Sequence, residues 1–252
     1  MTLPVTKKRA NCDFVAARLG ISAMHLIRIA ALPEINMQFV DRTEAGGKLG
    51  ARLAEYAGRS VVYALPRGGV VVGFEVAARL RAPLDLILVR KLGHPYQPEY
   101  AIGAIAEGGE PVLNQQEVAP LGHEWVGRIE RDAVVENARR RREYFPGDYA
   151  PPVVENKVAV LVDDGIATGL TMRAAALAVR RRKPERIVVA VPVAPSSSLA
   201  YLDDVADELL VLDDPDDFMG AVGLHYRNFP QVEDDEVIQL LQRAKQLLGE
   251  VA

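Results

Sequence analysis

The chain is poorest in cysteine. Cys12 is the only one among 252 residues, so an intramolecular disulfide framework is excluded and a reducing cytoplasm is the expected setting. No run of 18 uncharged apolar residues occurs. The start, MTLPVTKKRAN, is basic but is not followed by an apolar stretch, because Asp13, Arg18, His25 and Arg28 interrupt it. Neither a secretory leader nor a membrane span is therefore expected. An excess of positive charge is also missing. The net charge of -4 and pI near 5.7 argue against broad affinity for nucleic acid or anionic membranes. The GxGxxG turn of dinucleotide-binding folds and the GxxxxGK turn of P-loop proteins are both lacking. The acidic turn Asp213-Asp214-Pro215-Asp216-Asp217 has neither the glycine nor the closing glutamate of a calcium loop. What remains is 49% hydrophobic and 25% charged, the balance of a soluble globular protein large enough to bury a substantial core.

The most informative stretch runs from Lys157 to Met172, KVAVLVDDGIATGLTM. Val158 to Val162 is an almost unbroken apolar run rich in β-branched residues, the pattern of a strand covered on both faces. It ends on Asp163 and Asp164, passes through Gly165, Thr168 and Gly169, and opens into an alanine-rich helix at Thr171 and Met172. A strand–turn–helix junction of this kind lies at the C-terminal edge of a parallel sheet, where open α/β folds bind ligands. The free N–H groups of the helix favour an anion, the glycines permit close backbone approach, and the threonine hydroxyls can donate to phosphate. Two acids beside a phosphate cradle make sense if they hold sugar hydroxyls, directly or through Mg²⁺.

A second junction precedes it. SVVYAL, residues 60–65, reads as a buried strand, followed by Pro66-Arg67-Gly68-Gly69 and a helix over 70–80. Two glycines and one arginine fork suit a pyrophosphate. Residues 84–89 read as the next strand, ending in Arg90-Lys91, two cations placed to draw anions toward the crevice. Further strands are expected at 186–191 and 208–212, a long helix at 122–144, and a closing amphipathic helix at 233–248, apolar at Val237, Leu240, Leu241 and Leu247 and packed on the sheet. In the long helix Trp125, Ile129 and Val135 form the expected apolar stripe. Its Arg139–Arg142 run favours the helix dipole and reads as a solvated end or a subunit contact rather than a nucleic-acid patch. In the first 36 residues, FVAARLGISAMHLIRI has a helix–turn–helix flavour, but its second helix lacks side chains suited to base edges; a packed or weakly ordered appendage is expected.

The DDGIATG stretch resembles the signature of the type I phosphoribosyltransferases. The resemblance implies an α/β fold with a central, mostly parallel sheet, helices on both faces, a small C-terminal hood in 213–252 and an N-terminal extension over 1–36. Met37 resembles the ordinary start of the family, which makes 37–252 the expected domain. It further implies that Asp163 and Asp164 contact the ribose hydroxyls of 5-phosphoribosyl 1-pyrophosphate and the associated Mg²⁺, indirectly or through the substrate. Gly165, Ile166, Ala167, Thr168, Gly169, Leu170 and Thr171 would wrap the 5-phosphate. Arg67, Gly68, Gly69 and Lys91 would face pyrophosphate, the first of these through a loop that often carries a strained non-proline peptide. A lid is implied at 92–109, with His94, Glu99 and Glu107 as its polar candidates.

The acceptor stays open. Ala167 stands where 6-oxopurine enzymes carry an acid, whereas FMGAVGLHYRNF, residues 218–229, resembles their hood, with Phe218 or Tyr226 flanking a base. Expected, then, is Mg²⁺-dependent transfer of a phosphoribosyl group to a nitrogenous base or similar acceptor, of the kind used in nucleotide salvage. A module that senses phosphoribosyl pyrophosphate without turnover is the alternative, and hydrolysis of another phosphorylated sugar is a third. Small-molecule partners are expected, no nucleic acid and no membrane; a homodimer is left open, with 124–144 and 93–109 as candidate surfaces.

Overall fold

The computed structural model describes residues 26–29, 39–147 and 149–249. Cys12, most of the helix–turn–helix-like phrase and Met37 lie outside them. Six strands form one parallel sheet: β1 (Leu26–Ile29), β2 (Ser60–Ala64), β3 (Leu84–Leu86), β7 (Val158–Val162), β8 (Arg186–Val191) and β9 (Glu208–Val211), in the order β1-β9-β8-β7-β2-β3. The continuous apolar runs are explained by two-sided burial. Val61 and Tyr63 of β2, Ala159 and Leu161 of β7, and Ile187 and Val189 of β8 pack with Met172, Ala175 and Val179. The alternate residues Val62, Ala64, Val160 and Val188 pack with Leu49, Val72, Val76 and Leu80 on the opposite face.

Helices α1 (Arg42–Arg52) and α2 (Gly68–Leu80) cover that second face, and α5 (Leu170–Arg180) and α6 (Ser196–Leu202) the first. The closing helix, α7 (Asp234–Gly249), buries Val237, Leu240, Leu241 and Ala244, an i, i+3, i+4, i+7 stripe, while Leu247 is 42% exposed. It packs on the edge strand β3, as expected of a helix seated on the sheet, and otherwise against α2, which covers the rest of that face.

Three further differences bear on the site. The segment read as one strand over 84–89 divides. Its parallel part ends at Leu86, and Ile87 and Leu88, both fully buried, lead into a separate antiparallel sheet of β4 (Val89–His94), β5 (Gln97–Ala106) and β6 (Val112–Leu113). Lys91 therefore stands on this second sheet. The expected lid is a β-hairpin whose turn joins His94 to Gln97. Helix α4 (His123–Tyr144), reached through the short α3 (Gln115–Val118), docks by Ile129 of the expected stripe, which packs with the buried Ala133, and by the buried Asn137, while Val135, the third residue of that stripe, is more than half exposed. At the N-terminal side, Leu26–Ile29 pair in parallel with β9, so four residues expected to be helical serve as an edge strand, in keeping with their isoleucine content.

Candidate active site

The site is set by register. Ala64 of β2 pairs with Val162 of β7, and the Leu65 N–H donates to the Val162 carbonyl at 3.0 Å. The two strands thus end level, and the turns at 66–69 and 163–169 meet. The approach is so close that it requires glycine. A Cβ at Gly68 would lie 1.9 Å from Asp164 Oδ2, and one at Gly69 would lie 2.8 Å from Asp163 Oδ1. The Pro66–Arg67 peptide is cis.

Both acids are partly buried. The Asp164 N–H donates to Asp163 Oδ1 at 2.9 Å. Burial, and then the neighbouring Asp164 charge, push the Asp163 carboxyl well above the usual carboxylate range. Burial also raises Asp164, opposed by the guanidinium of Arg42, whose Nε donates to Asp164 Oδ2 at 2.7 Å. Arg42 Nη1 donates to the Pro230 carbonyl at 2.8 Å, and the guanidinium lies over the Phe229 ring, 3.7 Å from its centroid. Arg42 reaches this place because α1 starts at a defined residue. Asp41 accepts from the Glu44 N–H at 2.9 Å, and Glu44 Oε2 accepts from the Val40 N–H at 2.6 Å, a reciprocal cap. Arg42 is not among the residues expected at the site from the sequence. The Asp41-x-x-Glu44 spacing was the available signal, and it marks the helix start but not what the next residue faces.

The other turn is an anion cradle in form. Helix α5 starts after Gly169, which has φ of +78°, and no side chain caps its N-terminus. The first-turn N–H groups therefore stay available to a ligand. Ile166 is buried and donates its N–H to the Val193 carbonyl at 2.9 Å, while Ser198 Oγ donates to the Ala167 carbonyl at 2.8 Å. These two bonds hold the turn from beneath and leave Ala167 and Thr168 exposed above, with Leu170 and Thr171 partly so. Thr168 and Leu170 also border an open crevice of about 500 Å³ shared with Asn114, Gln116 and Tyr201.

On the other side of the glycine turn, a chamber of about 440 Å³ is lined by Pro66, Arg67, Val89, Arg90, Lys91, Glu136, Asn137, Arg140 and Asp234. It brings together Arg67 and Lys91, which come from different sheets.

Residues 40–227 match the family described as the phosphoribosyl transferase domain. The chain belongs to the type I phosphoribosyltransferase family. Two Mycobacterium tuberculosis proteins named as phosphoribosyl transferases, from strains CDC 1551 and H37Rv, are each 46% identical to it over 209 residues. The match takes in 82% of this chain and 47% of each of theirs, so the chain spans about half the length of the curated relatives it matches. The crystal structure of TT1426 from Thermus thermophilus is similar with a TM-score of 0.70 at 40% identity, over 82% of this chain and 99% of that one.

Against that family pattern, the remaining expected residues divide. His94 sits at the hairpin turn, where its Nδ1 accepts from the Tyr96 N–H at 3.3 Å, beside the rings of Tyr96 and Tyr100. Glu99 lies on β5, and its side chain is outside the described set. Glu107 faces elsewhere: it is bonded to the Arg141 guanidinium, which also donates to the fully buried Asp85 at 2.6 Å. Phe218 stacks on His225, 5.2 Å between centroids. Tyr226 is buried, and its hydroxyl donates to the Asp164 carbonyl at 2.5 Å, which makes it a brace for the acid pair. Among the described residues no group of three or more His, Cys, Asp or Glu side chains is placed to hold a metal ion, and no helix is long and apolar enough to cross a membrane.

Proposed function

We propose that the chain binds 5-phosphoribosyl 1-pyrophosphate across the two turns and transfers its phosphoribosyl group to a nitrogenous base or similar acceptor. The observation that carries this reading is the junction of two unlike half-sites at one sheet edge. An acid pair with an uncapped helix N-terminus meets Gly68 and Gly69 of the 66–69 turn, and the same turn gives Pro66 and Arg67 to a cation-lined chamber. A sugar with phosphate groups at both ends has that distribution of charge.

In this reading Asp163 and Asp164 accept hydrogen bonds from the ribose hydroxyls, and the turn from Gly165 to Thr171 surrounds the 5-phosphate with backbone N–H groups and two threonine hydroxyls. Arg67 and Lys91 bind the pyrophosphate and offset the charge that grows on it as the bond to C1 breaks. Arg42 and Tyr226 hold Asp164 in place from behind. The reaction needs little else from the protein: positioning and charge, with a nucleophilic ring nitrogen supplied by the acceptor.

Mg²⁺ fits this donor set as a partner of the substrate rather than as a resident ion. Two carboxylates against one guanidinium leave a negative charge over, yet two side chains fall short of a full oxygen shell. When bound, Mg²⁺ would supply charge neutralisation, with Asp163 and Asp164 as the residues that would hold it.

Isothermal titration of phosphoribosyl pyrophosphate with Mg²⁺ into the wild type and the Asp163→Asn/Asp164→Asn double variant tests the reading. Micromolar binding lost in the variant is expected. Equal binding by both proteins, or by neither, refutes it. Binding without consumption across purine, pyrimidine and pyridine acceptors would instead mark a sensing module.

A further inference from the structure

We infer that helix α4 forms part of the pyrophosphate end of the site, with Arg140 and Arg90 joining Arg67 and Lys91 as anion-binding side chains. This rests on the phosphoribosyl pyrophosphate reading above. The four cations line one chamber with only two acids, Glu136 and Asp234. One of them, Glu136, is largely committed elsewhere. Both oxygens of Glu136 accept from Arg139 at 2.8 Å, leaving Arg90 a distant contact of 3.9 Å, whereas Asp234 accepts from the Tyr144 hydroxyl and keeps its charge. Arg67 pairs with Glu233 at 3.3 Å, outside the lining, and the wall remains cationic on balance, which a polyanion would satisfy.

The run Arg139–Arg142 does two opposite jobs, and one fixes the other. Arg141 turns inward and bonds Asp85, Glu107 and the Leu86 carbonyl. Asn137, one turn earlier, donates through Nδ2 to the Ile105 carbonyl at 3.2 Å. These two anchors set the rotation of α4 about its axis. Glu136 and Arg140, four residues apart, then lie on one side and face the chamber. Arg140 is held there by a neutral partner: its Nη2 donates to the Tyr144 hydroxyl at 2.6 Å, and its guanidinium lies 5.3 Å from the Tyr144 ring centroid. Among the described residues it has no direct carboxylate contact, and Asp234 meets it only through the Tyr144 hydroxyl. A guanidinium of this kind, partly buried and pre-oriented, suits the geminal oxygens of a phosphoryl group.

The test is titration of inorganic pyrophosphate with Mg²⁺, and separately of phosphoribosyl pyrophosphate with Mg²⁺, into the wild type, Arg140→Ala, Arg140→Lys and Arg142→Ala. Arg142 is exposed, two residues along the same helix and outside the chamber, so it reports the effect of removing a helix charge alone. Arg140→Ala is expected to weaken pyrophosphate binding about tenfold or more, Arg140→Lys to recover part of that, and Arg142→Ala to stay within about twofold. Arg140→Lys also keeps the charge beside Tyr144, which guards against a folding defect being taken for lost binding. The inference is overturned if Arg140→Ala binds pyrophosphate as tightly as the wild type, or if Arg142→Ala weakens it equally. Those results leave the wild type binding phosphoribosyl pyrophosphate and so spare the underlying reading. A wild type that binds neither compound overturns both.

Discussion

Gly68 offers a direct test of how the two turns are joined, because the cost of a single methyl group there can be worked out from its neighbours. A Cβ would fall 1.9 Å from Asp164 Oδ2, 2.8 Å from Asp164 Cγ and 2.9 Å from Arg42 Nε. To reach ordinary contact the carboxylate oxygen must retreat by about 1.5 Å. The methyl presses on both partners of the Arg42–Asp164 pair, so the 2.7 Å bond between them is lost rather than shifted. Losing one hydrogen bond to a charged group costs about 1.5–3 kcal/mol. Leaving a buried carboxylate without its counter-charge costs about 3–5 kcal/mol, a figure that already contains that lost bond. Against this, alanine gains about 0.5–1 kcal/mol over glycine in a helix. Gly68→Ala should therefore destabilise the chain by about 2–4 kcal/mol at neutral pH, measured by urea unfolding.

Gly47 in α1 is the control. A Cβ there meets nothing within 4 Å, so Gly47→Ala should be neutral or stabilising by up to about 1 kcal/mol. If Gly68→Ala unfolds within about 1 kcal/mol of the wild type, the Asp164 carboxylate can swing aside at little cost, and the argument that this pair is held rigidly for a ligand is wrong.

Arg42→Met removes the counter-charge directly and should destabilise by about 3–5 kcal/mol, with the loss shrinking in acid as the raised Asp164 carboxyl takes up its proton; a urea series from pH 4 to 8 checks both parts. Asp163→Asn should raise the thermal midpoint of the ligand-free chain at neutral pH, since burial and Asp164 both penalise its charge, while abolishing binding of phosphoribosyl pyrophosphate; an unchanged or lower midpoint speaks against that penalty. Tyr56 donates to the buried Glu208, and burial with that partner pushes its phenol up to about 12. Because the folded value lies above the unfolded one, its contribution is complete below about pH 10 and is lost as pH rises toward about 12, roughly 2–3 kcal/mol in all. Spectrophotometric titration at alkaline pH, compared with Tyr56→Phe, should show one phenol missing from the normal range. Arg141→Ala strands Asp85, whose other cation, Arg182, stands 3.9 Å away, and should cost about 3–5 kcal/mol in urea unfolding, with much of that recovered in the Asp85→Asn/Arg141→Ala double variant.

What could be read in advance divides along a physical line. Residues whose role follows from local chain geometry were legible. The apolar run of Val158–Val162 requires two covered faces, and the turn after it is compact because strand, acids, glycines and helix are consecutive. The same holds for the glycine turn at 66–69. Where a role depends on a partner far along the chain, one sequence offers no sign of it. Arg42 meets Asp164 across 122 positions, and Glu107 is taken by Arg141 across 34. The break after Leu86 was hidden for a related reason. Leu84 to Val89 is apolar apart from Asp85, and both the parallel sheet and the crossing to the hairpin want apolar residues, so hydrophobicity cannot mark the point where one ends.

The arginine run shows the limit most sharply. Four consecutive arginines on a helix must point in different directions, about 100° apart, so they cannot share one role. The docking of α4 decides which goes where, through Asn137 on Ile105 and Arg141 on Asp85. Composition had treated the run as one unit, a solvated helix end or a subunit contact. Arg142 fits the solvated end, Arg141 contradicts it as an internal anchor, and Arg140 lines the chamber that holds Arg67 and Lys91. The anchoring and the chamber are therefore coupled. A change at Arg141 that lets α4 rotate would carry Arg140 away from the chamber, and would weaken pyrophosphate binding without removing any group that faces the ligand.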